Sequence, residues 1–315
     1  MASEILHLEN ASEFYIRSPM VRDLHDRISQ WTWCGLTGGL IVGNSRCGKT
    51  TAIRILSDSI ISRSGEDIRV FRVSYGKRDT ATIRTVFDKI ARSLGHEVKK
   101  SFTSDQLLEM ICNQLSESAL VNSARQVVMV IDEAQLLSIN QLSAFAEIYN
   151  DLYDMHVNGV FFFVANKDQM APLAAKILEK EYTYLRERFF AHLYEFKGIS
   201  TSSELKKCLN EYDRYIMDGD SSMTATQYYC PKLYENGWRL AKLSKPYWYH
   251  YCETYRKPLG HDSWGMGHFI RATNLLLMDY LPRCNDPADE ALLEACIVKS
   301  LAAAGIEPTL VSLAS

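Results

Sequence analysis

The chain has 315 residues, 47% of them apolar and 23% charged. That is the balance of a globular protein of about two domains, and it excludes disorder, collagen or coiled coil as the main theme. Lys and Arg number 35 against 38 Asp and Glu, a formal charge of −3, so nucleic acid is not gripped by overall charge and any contact must come from a local patch.

In chain order, residues 1–37 read as a leader and an amphipathic helix, with Val21, Leu24, Ile28 and Trp31 at helical spacing. The opening MASEILHLENASEF carries acids and no apolar core, unlike a secretion signal. GGLIV (38–42) predicts a buried strand, and a helix follows from Lys49 through Ile61. IRVFRVSY (68–75) is β-branched and alternating, a second strand. Helices are expected from Thr80 to Leu94 and from Ser104 to Leu120, the latter opening on a Ser-Asp-Gln cap region. VVMVI (127–131) and GVFFFVA (159–165) are continuous apolar strands, with a helix over 139–156 between them. A helix from Leu173 to Leu185 and a short strand in AHLYEF (191–196) complete the alternation. Neither apolar run approaches the about 18 residues of a membrane span.

Strands of this kind between helices imply an α/β fold, a parallel sheet flanked by helices. Beyond Gly198 the pattern turns helical, over 203–217, 269–281 and 288–304, with irregular Tyr/Trp-rich sequence between. The expected organisation is a leader over 1–37, a core over 38–198, and a small, mainly helical lid with an acidic tail over 199–315. The eight cysteines form no CxxC pair and suit reduced, mostly buried thiols. Cys230, His250 and Cys252 do not have the spacing of a standard zinc finger.

Residues 43–50 read Gly43-Asn44-Ser45-Arg46-Cys47-Gly48-Lys49-Thr50. This is GxxxxGK[ST] between a strand and a helix, the phosphate-binding loop in the context it requires. Gly43 and Gly48 are expected to let the backbone curl so that N–H groups point at phosphate oxygens, and the helix that begins at Lys49 and Thr50 and runs on through Thr51 adds its positive end. Lys49 sets a cation against the β- and γ-phosphates of ATP, and Thr50 offers a hydroxyl to Mg²⁺. The acidic half of such a site belongs at the end of another central strand, and Asp132 and Glu133 follow VVMVI there. Asp132 would hold the Mg²⁺ shell and Glu133 would act as general base. The competing reading has both carboxylates capping the next helix. Asn166, at the end of the fourth strand, is a candidate γ-phosphate sensor or a plain turn cap. In Leu185-Arg186-Glu187-Arg188 an arginine either reaches a neighbouring subunit as a finger, Arg188 before Arg186, or stays a solvated helix end. Arg271, early in a C-terminal helix, is a further candidate for nucleotide contact.

Taken together, GNSRCGKT, VVMVIDEAQ, the strand ending in Asn166, the RERF segment and a helical lid resemble the AAA+ ATPases. The DEAQ ending and the overall size are most similar to the TnsC/TniB group of transposition regulators, with phage Mu protein MuB a more distant relative. FYIRSPMVRDLHDRI resembles the segment that lines the adenine pocket in that group. The resemblance implies a bacterial cytoplasmic ATPase that binds ATP and Mg²⁺ and oligomerises as a hexameric or heptameric ring or a helical filament on double-stranded DNA. It also implies partners: a transposase and a TniQ-type target-selection protein, with no membrane. The readings that stand beside it are another AAA+ machine, for replication initiation or helicase loading, and a nucleotide-switched scaffold that binds no DNA.

A DNA surface has a local basis. Residues 69–100 hold nine Lys and Arg against three acids, 9 − 3 = +6. Lys77 and Arg78 follow a strand, and Lys99, Lys100 and Thr103 lie in a loop between helices. On a pore lining they would meet phosphates; otherwise they form a solvated basic face. A second basic stretch, 227–257, interleaves nine Tyr and Trp and is expected to be packed core or a protein-docking face rather than a stacking platform. The last 31 residues carry five acids and one lysine and should avoid DNA.

Overall fold

The computed structural model describes residues 8, 14–56, 60–77, 82–217 and 223–306. The chain folds as two units, one of Leu24–Ser45 and Lys49–Phe196, the other of Met1–Asp23, Arg46–Gly48 and Lys197–Ser315.

The first unit is built on a five-stranded parallel sheet. Its strands are β1 (Gly38–Gly43), β4 (Val70–Ser74), β5 (Gln126–Asp132), β6 (Asn158–Asn166) and β7 (Leu193–Glu195), in the order β4-β5-β6-β1-β7. β5 and β6 are buried nearly end to end, as unbroken apolar runs require when helices cover both faces. Alternation sorts the phenylalanines of β6. Phe161 and Phe163 pack edge-on to Phe145 of α5 (Ile139–Asp154). Phe162 points the other way and stacks on Trp31 of α1 (Pro19–Trp33), centroids 5.9 Å apart. Gly39 is small for that same reason, since a Cβ there would lie 2.6 Å from the Trp31 ring.

The flanking helices begin where side chains satisfy their orphan N–H groups. α3 (Ile83–Ser93), α4 (Ser104–Ala119) and α5 open on capping boxes at Thr82, Thr103 and Ser138. The cap of α4 is therefore Thr103, paired with Gln106, one residue before the Ser-Asp-Gln segment.

Three sequence expectations need correction. α2 (Lys49–Leu56) does not run to Ile61. Ile60 and Ile61, β-branched and strand-prone, form β2 and pair antiparallel with β3 (Asp67–Ile68). The run 68–75 is accordingly split, Ile68 closing that hairpin and Val70 opening β4. The helix expected over 173–185 is broken into α6 (Ala171–Ile177) and α7 (Thr183–Phe189), because Glu179 takes an extended conformation (φ −64°, ψ 148°).

The second unit is helical: α8 (Ser202–Arg214), α9 (Ala225–Tyr229), α10 (Pro231–Glu235), α11 (Ser244–Tyr251), α12 (Lys257–Leu259), α13 (Met266–Leu275) and α14 (Glu290–Ala303). The Tyr/Trp-rich stretch expected to be irregular thus forms α9 to α12, and its aromatics build the core. Trp264 stacks on Tyr251 at 4.2 Å and meets Tyr247 edge-on at 5.1 Å, all three buried. The basic residues of the stretch are partly absorbed as well. Arg239 lies 3.6 Å from the Tyr234 ring centroid, and Arg256 donates to the Ser200 and Asp262 carbonyls. These contacts match the packed-core reading of 227–257.

Candidate functional site

β1 delivers its last residue, Gly43, to the carboxyl edge of the sheet, and six residues later α2 begins. Gly43 stays in strand conformation, in register with Asn166 of β6. The turn is instead made by Arg46 (φ 58°) and Gly48 (φ 105°). Only Gly48 is the glycine such a φ favours; Arg46 holds a left-handed backbone at a cost of about 1 kcal/mol. The curl assigned to Gly43 therefore belongs to Arg46. Within the loop Cys47 is buried, while Asn44, Ser45, Arg46 and, beyond it, Thr50 and Thr51 are exposed. Lys49 folds back so that Nζ donates to the carbonyls of Gly43 (2.7 Å) and Asn44 (2.8 Å). The first turn of α2 carries no acid, so its positive end is not neutralised from within.

The acidic edge lies beside this loop. Asp132 ends β5, 5% exposed, and its carbonyl accepts from Tyr75 N–H, which fixes the strand end. Its Oδ2 accepts from Thr50 Oγ1 at 3.0 Å and its Oδ1 from Glu133 N–H at 2.9 Å. Glu133 is left-handed (φ 58°, ψ 37°) and caps nothing with its side chain. Ser138 caps α5, so the capping explanation for the two carboxylates fails. Instead Glu133 Oε2 accepts from Gln135 Nε2 at 2.6 Å, and Gln135 Oε1 accepts from the backbone N–H of Asn166 at 3.0 Å. Asn166 Oδ1 also caps the following turn by accepting from Asp168 N–H, which leaves its NH₂ as the donor end.

A hydroxyl and a carboxylate 3.0 Å apart are the hard oxygen donors Mg²⁺ prefers. A lysine, a left-handed loop and a helix start beside them suit a polyphosphate. Among the described residues no cluster of three or more His, Cys, Asp or Glu could hold a metal ion.

Topology, loop and acidic edge together are those of a P-loop ATPase. A family model described as an AAA domain matches residues 37–168, and that stretch is an AAA-type P-loop ATPase domain. Among solved structures the chain is similar to a Walker-type ATPase of Pyrococcus abyssi, at 14% identity over 92% of this chain and 91% of that one, TM-score 0.42. It is also similar to a Drosophila ORC chain from a DNA-bound complex, at 10% identity over 58% of this chain and 94% of that one, TM-score 0.35. No curated protein matches.

The hydrogen bonds of the other predicted residues lead to different groups. Arg188 on α7 rests over the Tyr149 ring, 4.3 Å from its centroid, and donates to Asn150 Oδ1 at 3.0 Å. Arg186 donates to the Leu178 carbonyl. Arg271, in the second unit, donates to the Ala304 carbonyl at 2.8 Å. Lys77 is exposed just past β4; Arg78 lies outside the described residues. Lys99 and Lys100 are exposed on a loop whose carbonyls at 98, 100 and 102 are held by Arg84 and Arg92. Two of the basic residues in this stretch thus shape the loop rather than face solvent freely. The Thr103 hydroxyl is occupied as the α4 cap. Gln135 carried no role in the sequence reading although it closes the DEAQ motif; only the fold brings it to Asn166.

Proposed function

We propose that the protein is an ATP-dependent, DNA-binding AAA+ regulator of DNA transposition, which oligomerises on duplex DNA and links target selection to a transposase. The observation that carries the nucleotide half is the 3.0 Å bond between Thr50 and Asp132, which unites the Gly-rich loop with the acidic strand end. In this reading Gly43 to Thr51 cradle ATP, and Thr50 and Asp132 hold its Mg²⁺. Glu133 orients and deprotonates the attacking water, Lys49 leaves its two carbonyls for the β- and γ-phosphates, and Asn166 senses the γ-phosphate. Bound Mg²⁺ supplies charge neutralisation at the phosphates. Arg188, already at the surface beside Asn150, is the candidate finger toward a neighbouring copy. Arg271 is a further candidate for nucleotide contact.

The DNA half is supported by exposed Lys77, Lys99 and Lys100 in a chain of net charge −3, and the transposition assignment by the resemblance of the DEAQ motif and overall size to the TnsC/TniB group. Electrophoretic mobility of a duplex tests it, with and without ATP. Retention only with ATP is expected. Lys77→Glu with Lys99→Glu and Lys100→Glu should weaken retention and flatten its salt dependence by about one logarithmic unit of slope per lost phosphate contact, with ATP affinity unchanged. No retention even at low salt would favour a nucleotide-switched scaffold instead, and retention indifferent to ATP would favour a different AAA+ machine.

A further inference from the structure

We infer that Gln135 is a positioning residue of the hydrolytic site, a single amide that fixes Glu133 and ties its carboxylate to the strand end bearing Asn166; the inference rests on the ATPase reading above. Three observations carry it. First, the amide is used at both ends: Nε2 donates to Glu133 Oε2 at 2.6 Å and Oε1 accepts from Asn166 N–H at 3.0 Å. The two partners fix its orientation, since a flipped amide would set an oxygen against a carboxylate and an NH₂ against an N–H. Second, Glu133 stands in a left-handed conformation, and a strained backbone of this kind persists where its surroundings over-determine it. Its N–H is tied to Asp132 and its carboxylate to Gln135. Third, Asn166 is paired in register with Gly43, the first residue of the phosphate loop. The amide therefore links the strand paired with the phosphate loop, through Asn166 N–H, to the Glu133 carboxylate. Gln169 Oε1, 3.5 Å from Gln135 Nε2, is a weak competitor for that donor.

Neither Asn nor Glu can do this. Asparagine is one methylene short of spanning both partners. Glutamate keeps the acceptor for Asn166 but replaces the donor to Glu133 with a second carboxylate, which can only accept and repels its neighbour.

The test measures ATP affinity by fluorescent-nucleotide binding, and kcat by phosphate release, for wild type, Gln135→Ala and Gln135→Glu, with thermal melting as the folding control. Gln135→Ala should lower kcat by about ten- to hundredfold, the loss expected from a misplaced reacting group, with Kd for ATP changed by less than about threefold. Gln135→Glu, isosteric and expected to fold, keeps the acceptor for Asn166 and loses the donor to Glu133, so its kcat should fall at least as far, with Kd for ATP again changed by less than about threefold. An unchanged kcat in either variant, or a fall in kcat matched by an equal loss of ATP affinity, overturns the inference while leaving the ATPase reading intact. Absence of nucleotide binding in the wild type itself overturns both.

Discussion

Thr50 and Asp132, 82 residues apart in sequence, are joined by a 3.0 Å hydrogen bond from hydroxyl to carboxylate. One sits at the start of α2 and the other at the end of β5, so the bond sets the spacing of the two donors before any metal arrives. Asp132→Asn keeps a hydrogen-bond acceptor for Thr50 and removes the charge. The Mg²⁺ concentration for half-maximal ATP turnover should rise by about ten- to hundredfold, the range found when a supporting carboxylate at a metal site is lost, with ATP binding in chelator little affected. A Mg²⁺ titration of turnover that overlays wild type would take Asp132 out of the metal's surroundings.

The strand that carries the loop depends on glycine for reasons of space. At Gly38 an added Cβ would collide with the carbonyl oxygen of Phe161, backbone that cannot swing aside, and would press on Phe189 at 3.2 Å. Gly38→Ala should therefore force β1 away from β6 and destabilise the fold by about 1–3 kcal/mol or more, read as a lower midpoint in urea. Gly35, with nothing within 4 Å but a φ of 72°, offers the contrast: Gly35→Ala should cost about 1 kcal/mol through backbone strain alone. Equal midpoints for the two variants would mean β1 and β6 are less tightly joined than their register suggests.

Much of this architecture is written in local pattern. β5 and β6 are legible because burial on both faces demands unbroken apolar runs, and the loop is legible because Gly48-Lys49-Thr50 must follow a strand and open a helix. What escaped depends on single residues or on tertiary return. β2 and β3 have two residues each, too few for any period, so the expected α2 runs through β2 and Ile68 of β3 is joined to the strand that follows. The break at Glu179 leaves no glycine or proline as a marker. Thr103-x-x-Gln106 did carry a capping-box signature, and weighing it would have placed the cap at Thr103 with the expected start of α4 at Ser104 unchanged. Gln135 was beyond reach, because its partner Asn166 comes from another strand and its reach to Glu133 follows from a left-handed backbone that glutamate rarely adopts.

Burial also sets the chemistry of the thiols. Cys112, Cys208 and Cys230 have their pKa pushed up to about 12, chiefly by burial; Asp151 adds to the effect at Cys112, Glu204 at Cys208 and Cys284 at Cys230. Since the thiolate is the nucleophile, an aromatic disulfide reagent at about pH 8 should label exposed Cys34 within the fast phase and leave those three until the protein unfolds. Mass spectrometry of the labelled peptides reads this directly. Fast labelling of Cys112, which lies in the middle of α4 against the sheet, would contradict the packing of the first unit.

His268 provides a handle on the second unit. Burial, then the charges of Arg46 and Arg271 and the neighbouring His261, hold its pKa below the ordinary 6.5. The unfolded chain therefore takes up a proton more readily at this position than the native one. Its contribution to stability is retained above pH 6.5 and lost as the pH falls from there through the lowered native value. Carboxylates with ordinary pKa values titrate well below this window, and the other histidines are common to both proteins, so comparison with His268→Gln isolates the effect. Between about pH 7.5 and 5.5 the wild type should lose more thermal stability than His268→Gln, whose neutral amide has no proton to gain. Parallel melting curves across that range would show that the imidazole is solvated in the native state, and that Arg46 and Arg271 do not crowd it.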